Sequence, residues 1–253
     1  MKPVCLVIGA GAGIGGTVGK RFAQEGYHAV LCRRSDVVGL EKLVAEITDF
    51  GGSASGFLMN AIDDDAIETR VSAIEADIGP IEVAVYNLGA QIGNRSLAET
   101  EPRAFEMGWR LGTFGLFRLA RAVTPLMEKR GHGTIIVTSA TAAVRGNAGQ
   151  HSHTAAMGGR RLLCQSLNAE FSPKGIHVAH VIVDGAVEAP DTLGKMLGPE
   201  RFRQLKETRG AEDGLMLPEK IADTYWYLAN QHRSVWTHEM DLRSWSDLPW
   251  WNH

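Results

Sequence analysis

A run of five apolar residues, Val4–Ile8, leads directly into Gly9-Ala10-Gly11-Ala12-Gly13-Ile14-Gly15, and a helical pattern follows over Gly15–Glu25. Few folds accept this order. A short continuous apolar run marks a strand buried on both faces, so helices must cover each side of its sheet. The glycines permit a tight turn and let the backbone approach an anion that Cβ atoms would hold away. The helix behind them offers unpaired N–H groups and the positive end of its dipole. The pattern predicts a loop cradling the pyrophosphate of a dinucleotide through Gly9, Gly13, Ile14 and Gly15; a tight strand–helix turn with no ligand is the plainer alternative.

The same alternation continues along the chain. Strands are predicted at His28–Cys32, Ser55–Met59, Ile81–Tyr86, Thr134–Thr138, Ile176–Val183 and Glu239–Leu242. Helices are predicted at Val37–Phe50, Asp63–Ile78, Pro102–Lys129, Thr154–Phe171 and Pro218–Asn230. Leu40, Leu43, Val44 and Ile47 keep the i, i+3, i+4, i+7 spacing of a helix with one apolar face. The result is an α/β chain: a doubly wound parallel sheet of about seven strands with helices on both faces. No repeat or linker divides residues 1–253, so one domain is expected. The stretch from about Glu188 to Leu217 reads as an irregular lid, too long for an ordinary connection.

Composition narrows the partners. With 26 basic and 29 acidic side chains the formal net charge is −3, which supports neither a nucleic-acid nor an anionic-membrane surface. No stretch approaches the roughly 18–20 apolar residues of a membrane span, and no signal-peptide pattern opens the chain. Cys5, Cys32 and Cys164 are odd in number and widely spaced, as expected of core thiols in a reducing cytoplasmic compartment. His151 and His153 do not share a helical face and lack a carboxylate or cysteine cluster, so no metal site is expected.

The second strand ends in Cys32-Arg33-Arg34. An acid there would accept from an adenosine ribose and select NAD, whereas a basic residue pairs with a 2′-phosphate. Arg33 and Arg34 favour NADP, with NAD the lesser choice; two solvated arginines opening a helix are the bland reading.

Over nearly its whole length the chain resembles the short-chain dehydrogenase/reductase family. The resemblance rests on Gly9-x-x-x-Gly13-x-Gly15, Asn87-Leu88-Gly89, Gly115 with Phe117, Pro125 and Met127, Gly133-Thr-Ile-Ile-Val-Thr-Ser139, Leu167-Asn-Ala-Glu170 and Gly175-Ile-His-Val178. It implies a Rossmann-type fold. It also implies an adenine contact from Asn60 beside Ala61, further cofactor contacts from Asn87, Gly89, Met157, Gly185 and Val187, and a homodimer or homotetramer built on the two long helices.

The family's catalytic residues are Asn, Ser, Tyr and Lys, and here they are largely replaced. Counting back from Leu167 and Glu170, His153 stands at the tyrosine position and Met157 at the lysine position, and a one-residue shift of register gives Ser152 and Ala156, which restores neither; counting back from Pro125, Gly112 stands at the asparagine position. The only tyrosines are Tyr27, Tyr86, Tyr225 and Tyr227, and no lysine lies between Lys129 and Lys174. Ser139 remains. Asp184-Gly185 follows the sixth strand where the family has Pro-Gly, and Ala189 replaces a threonine, with Thr192 close by.

The residues therefore predict a divergent oxidoreductase acting on a carbonyl, hydroxyl or related group of a small molecule. His153 would act as proton donor, since imidazole titrates near neutrality; Ser139 would hold the substrate oxygen, and Asp184 would orient His153. A non-redox isomerase, lyase or cyclase on the same scaffold and a silent nucleotide-binding subunit stay open. A hydrolase triad of Ser139, His153 and Asp184 lacks the Gly-x-Ser-x-Gly elbow. The lid suggests a partly hydrophobic substrate. Trp236, Trp245, Trp250 and Trp251 crowd the end of the chain, and Leu248–Trp251 is expected to pack on another subunit or over the pocket, or else on its own domain.

Overall fold

The computed structural model describes residues 1–89 and 93–252. Seven strands form one wholly parallel sheet: β1 Val4–Ile8, β2 His28–Arg33, β3 Ser53–Leu58, β4 Ile81–Tyr86, β5 Gly133–Ala140, β6 Ile176–Val183 and β7 Glu239–Leu242. Their order is β3-β2-β1-β4-β5-β6-β7. Helices α1 Ile14–Gln24, α2 Val37–Asp49, α3 Ala66–Asp77, α4 Pro102–Trp109, α5 Gly115–Arg130, α6 His151–Phe171, α7 Lys195–Leu197, α8 Pro199–Thr208 and α9 Pro218–Ala229 accompany the sheet, with short 3-10 and π-helical turns between elements. No helix among the described residues is long and apolar enough to cross a membrane.

The period of two in β1 sorts the core into two halves. Val4, Leu6 and Ile8 pack with Ile67, Val71 and Ile74 of α3, Leu116, Leu119 and Val123 of α5, and Cys164 and Leu167 of α6. Cys5 and Val7 point to the other face, against Val18 and Phe22 of α1, Leu40, Leu43 and Ile47 of α2, and Ile221, Tyr225 and Leu228 of α9. The strand order reverses between β1 and β4, and a crevice opens at the carboxyl ends of such strands.

Three departures from the sequence reading have local causes. α3 starts at Ala66, three residues later than expected, because Asp65 adopts φ +56° and the preceding acids form a turn. The helix expected over Pro102–Lys129 is interrupted by a π-helical turn, Arg110–Phe114. There the Leu111 carbonyl accepts from Tyr86 Oη and the Gly112 carbonyl accepts from Arg160 Nε at 2.7 Å, which draws both out of the helical ladder. The lid is largely helical: a π-turn at Pro190–Gly194, then α7 and α8. Pro199 opens α8 at the position where a missing N–H costs nothing.

The tail lies on its own domain. The Trp250 N–H donates to Asp184 Oδ2 at 3.0 Å, Arg145 donates to the Trp250 carbonyl, and Arg243 lies over the Trp251 ring. Trp245, Leu248 and Trp251 remain exposed.

Candidate functional site

The crevice begins where β1 turns into α1. The Gly9 and Ala10 N–H groups both donate to the Cys32 carbonyl, and Asn87 Nδ2 donates to the Gly9 carbonyl at 2.9 Å. Gly9 has φ +100°, and a Cβ there would lie 2.8 Å from the Asn87 carbonyl group. A Cβ on Gly15 would strike the Gly9 carbonyl oxygen at 2.3 Å, and one on Gly13 would meet the Ala189 Cβ at 2.7 Å. Asn87 therefore fastens the loop, and the glycines let β4, α1 and the lid close upon it. At Gly11 the nearest atom to an added Cβ is Asp191 Oδ2, 3.6 Å away, so the outer side of the loop is roomy.

A cleft of about 520 Å³ runs from this loop across the ends of β4 and β5. Gly9, Gly13, Ile14, Gly15, Arg33, Arg34, Asn60, Ala61, Asn87, Gly89 and Val187 line it, together with Ser139, His153 and Met157. All these sequence-predicted residues share one cavity. Arg33 approaches Asp36 at 3.0 Å and Asp191 at 3.4 Å, whereas Arg34 is exposed. Asn60 donates to Asp63 at 2.6 Å. The loop it belongs to is held by buried Arg118, which donates to the Ala61 and Asp63 carbonyls and to Glu68.

Two predicted residues fall outside. Asp184 does not reach His153: its carboxylate accepts from Arg243 Nε at 3.1 Å and from the Trp250 N–H, so the C-terminal tail claims it. Gly185 lies beside it in a separate cleft with Arg209, Trp245 and Asp247. A Cβ on Gly185 would sit 2.5 Å from an Asp247 carboxylate oxygen.

The chemical end of the cleft is built on α6. His153, Met157 and Arg160 stand at i, i+4 and i+7, so they share a helical face. Ser139, at the end of β5, points its hydroxyl toward Met157 Sδ at 3.8 Å, a weak contact that leaves the hydroxyl free for a stronger acceptor. His153 Nδ1 is buried without a hydrogen-bond partner among the described residues. Burial, and then the charge of Arg160, push the His153 pKa below the usual histidine value. The neutral imidazole predominates at pH 7.

Arg160 is the residue that sequence reasoning misses. It is 1% exposed. Its guanidinium donates to the carbonyls of Gly112 (2.7 Å), Leu88 (2.7 Å) and Thr138, and it lies over the Tyr86 ring. It has no carboxylate partner among the described residues. Burial lowers its pKa from the usual value, although a guanidinium remains charged at ordinary pH. The site thus keeps a fixed cation one helical turn beyond Met157. The signal was present as a lone charge in an apolar stripe: Ala156, Arg160, Cys164 and Leu167 are all buried on α6.

Residues 3–193 match the model of the short chain dehydrogenase family. The short-chain reductase protein NovJ of Streptomyces niveus is 31% identical over 242 residues, covering 94% of this chain and 91% of NovJ. The crystal structure of a short-chain dehydrogenase from Rhodopseudomonas palustris superimposes with a TM-score of 0.80 at 33% identity, covering 96% of this chain and 99% of that one. A metagenomic short-chain oxidoreductase solved in complex with NADP has the same fold, with a TM-score of 0.78, 24% identity and 96% of each chain covered. The chain belongs to the short chain dehydrogenase family.

Proposed function

We propose that this protein is an NADP-dependent oxidoreductase acting on a carbonyl or hydroxyl group of a small molecule, with His153 and Arg160 serving beside Ser139 where the usual catalytic Asn, Tyr and Lys are absent. One observation carries the reading: a single cleft joins the glycine loop and Arg33 to Ser139, His153 and Arg160. The residues fit the cofactor at its phosphate end. The loop has no Cβ where a pyrophosphate must approach, and Arg33 and Arg34 stand where a 2′-phosphate would be read. At the other end Met157 offers no N–H or O–H to a ribose, so Asn87, Gly89, Val187 and the lid would hold that half by shape. A bound nicotinamide supplies or accepts the hydride.

The chain's own groups manage the proton and the charge. The Ser139 hydroxyl donates to the substrate oxygen. His153 holds the proton at that oxygen: imidazolium donates it during reduction, and the neutral ring accepts it during oxidation. Arg160 fixes the Gly112, Leu88 and Thr138 carbonyls and adds positive potential, which steadies negative charge on the substrate oxygen. The same cation disfavours imidazolium, so reduction should speed up as pH falls toward the lowered His153 pKa. Oxidation should be favoured above it. Met157, buried between Ser139 and Arg160, keeps water from the floor.

The test is NADPH oxidation against a panel of ketones and 3-oxoacyl thioesters. Turnover by the wild type that drops about 10²- to 10⁴-fold in His153→Ala is expected, the usual worth of a general acid. Turnover unchanged in His153→Ala would remove His153 from the mechanism. A second reading, non-redox chemistry on the same scaffold, draws on Met157 at the ribose-facing end. Products formed without any change in nicotinamide absorbance would favour it.

A further inference from the structure

Asp191 sits where a phosphate belongs. Its Oδ2 accepts from the Ala12 N–H, inside the glycine loop, at 3.0 Å and lies 3.4 Å from Arg33 Nη2. Its Oδ1 is 3.4 Å from Lys195 Nζ. Asp191 belongs to the π-turn of the lid, so this one side chain fastens the lid to the nucleotide loop. The Ala12 N–H, followed by the two cations, holds its carboxyl below the usual carboxylate range. A backbone N–H of a glycine loop together with an arginine at the end of β2 makes a donor set suited to a phosphate oxygen.

We propose that Asp191 is an internal anion that occupies the nucleotide's phosphate corner, sets the affinity for phosphate there, and must leave when phosphate arrives. The inference rests on the NADP reading of the cleft and deepens it. A carboxylate and a phosphate cannot share the Ala12 N–H and Arg33, since like charges at such distances repel. Phosphate binding therefore frees Asp191, Lys195 and the Pro190–Gly194 turn together, and the lid is released as the nucleotide enters. Two nucleotide groups carry the required chemistry, the pyrophosphate and the 2′-phosphate. The position of Arg33 favours the second.

Calorimetric titration of the full-length wild type and Asp191→Asn with adenosine, ADP and 2′,5′-ADP tests this. Asparagine keeps the shape and an acceptor for the Ala12 N–H but removes the charge. The expected result is a gain of about tenfold in 2′,5′-ADP affinity in the variant, equivalent to ~1.4 kcal/mol, with adenosine affinity unchanged. A gain of the same size for ADP would keep the proposal and assign Asp191 to the pyrophosphate. Asp191→Ala should move affinity in the same direction. Equal affinities in wild type and variant, with 2′,5′-ADP bound by both, would overturn the proposal and leave the NADP reading intact. Weaker binding by the variant would overturn it too, because Asp191 would then be positioning the nucleotide. Binding by neither protein would overturn both.

Discussion

Replacing Arg160 by Met probes the fixed cation directly. The two side chains are similar in length and both fit an apolar stripe, so the substitution removes charge and donors with little change of volume. Three main-chain carbonyls, from Gly112, Leu88 and Thr138, then lose their donor. An orphaned buried polar group costs about 1–3 kcal/mol. Removing the desolvation of the guanidinium offsets part of that sum. Arg160 has no carboxylate partner among the described residues, so its removal leaves no bare charge behind, and a net loss of about 1–3 kcal/mol is expected. Arg160→Lys keeps the charge but cannot span three divergent carbonyls, and should lose less. Urea denaturation gives the stability change. In parallel, NMR titration of His153, assigned through His153→Gln, should show its pKa rising toward 6.5 in Arg160→Met, because one of its two depressing causes is gone. A stability loss below about 1 kcal/mol together with an unmoved His153 pKa would refute the claim that Arg160 ties the floor of the site together.

Further outcomes follow from the same structure. His180, fully buried, titrates at about 4 because of burial, against which the nearby Glu239 works only partly. Its unfolded value is about 6.5, so between those limits the unfolded chain binds more protons and stability falls as pH drops; about 3 kcal/mol should be lost by pH 4. Urea midpoints measured from pH 7 to 4 check this, and a flat profile would contradict it. Gly9→Ala forces a side chain onto φ +100° and against the Asn87 carbonyl, so it should destabilise by about 1–3 kcal/mol and abolish nucleotide binding in calorimetry. Trp109, Phe114 and Phe117 form an exposed aromatic stack, with ring centroids 5.5 and 6.1 Å apart. We propose this face as a subunit contact; light scattering should give an oligomer for the wild type and a monomer for Phe117→Asp.

Much of the scaffold is legible in the sequence because local pattern and tertiary demand agree. β1, β4, β6 and β7 are found with the predicted bounds, and the glycine loop sits at the predicted strand–helix turn. β3 begins earlier than its apolar residues suggest, since Ser53 and Ser55 are held by His28 of the neighbouring strand, at 2.6 and 2.9 Å, and not by burial. The π-turn depends on Tyr86 and Arg160, 25 and 48 residues distant in sequence from the carbonyls they capture, so periodicity along the helix cannot reveal it. Asp184 misleads for a similar reason. Its position at the end of β6 points toward the site, but its partners come from the last residues of the chain. Arg33 is legible in the sequence as a candidate phosphate-reading cation, while the lid carboxylate that rests on it is not.

The most direct test of the central claim is calorimetric titration of the purified protein with NADPH and with NADH. The account predicts that NADPH binds, and binds at least about tenfold more tightly than NADH, a difference of ~1.4 kcal/mol supplied by Arg33 and its neighbours. Binding of neither nucleotide, or tighter binding of NADH, would contradict it.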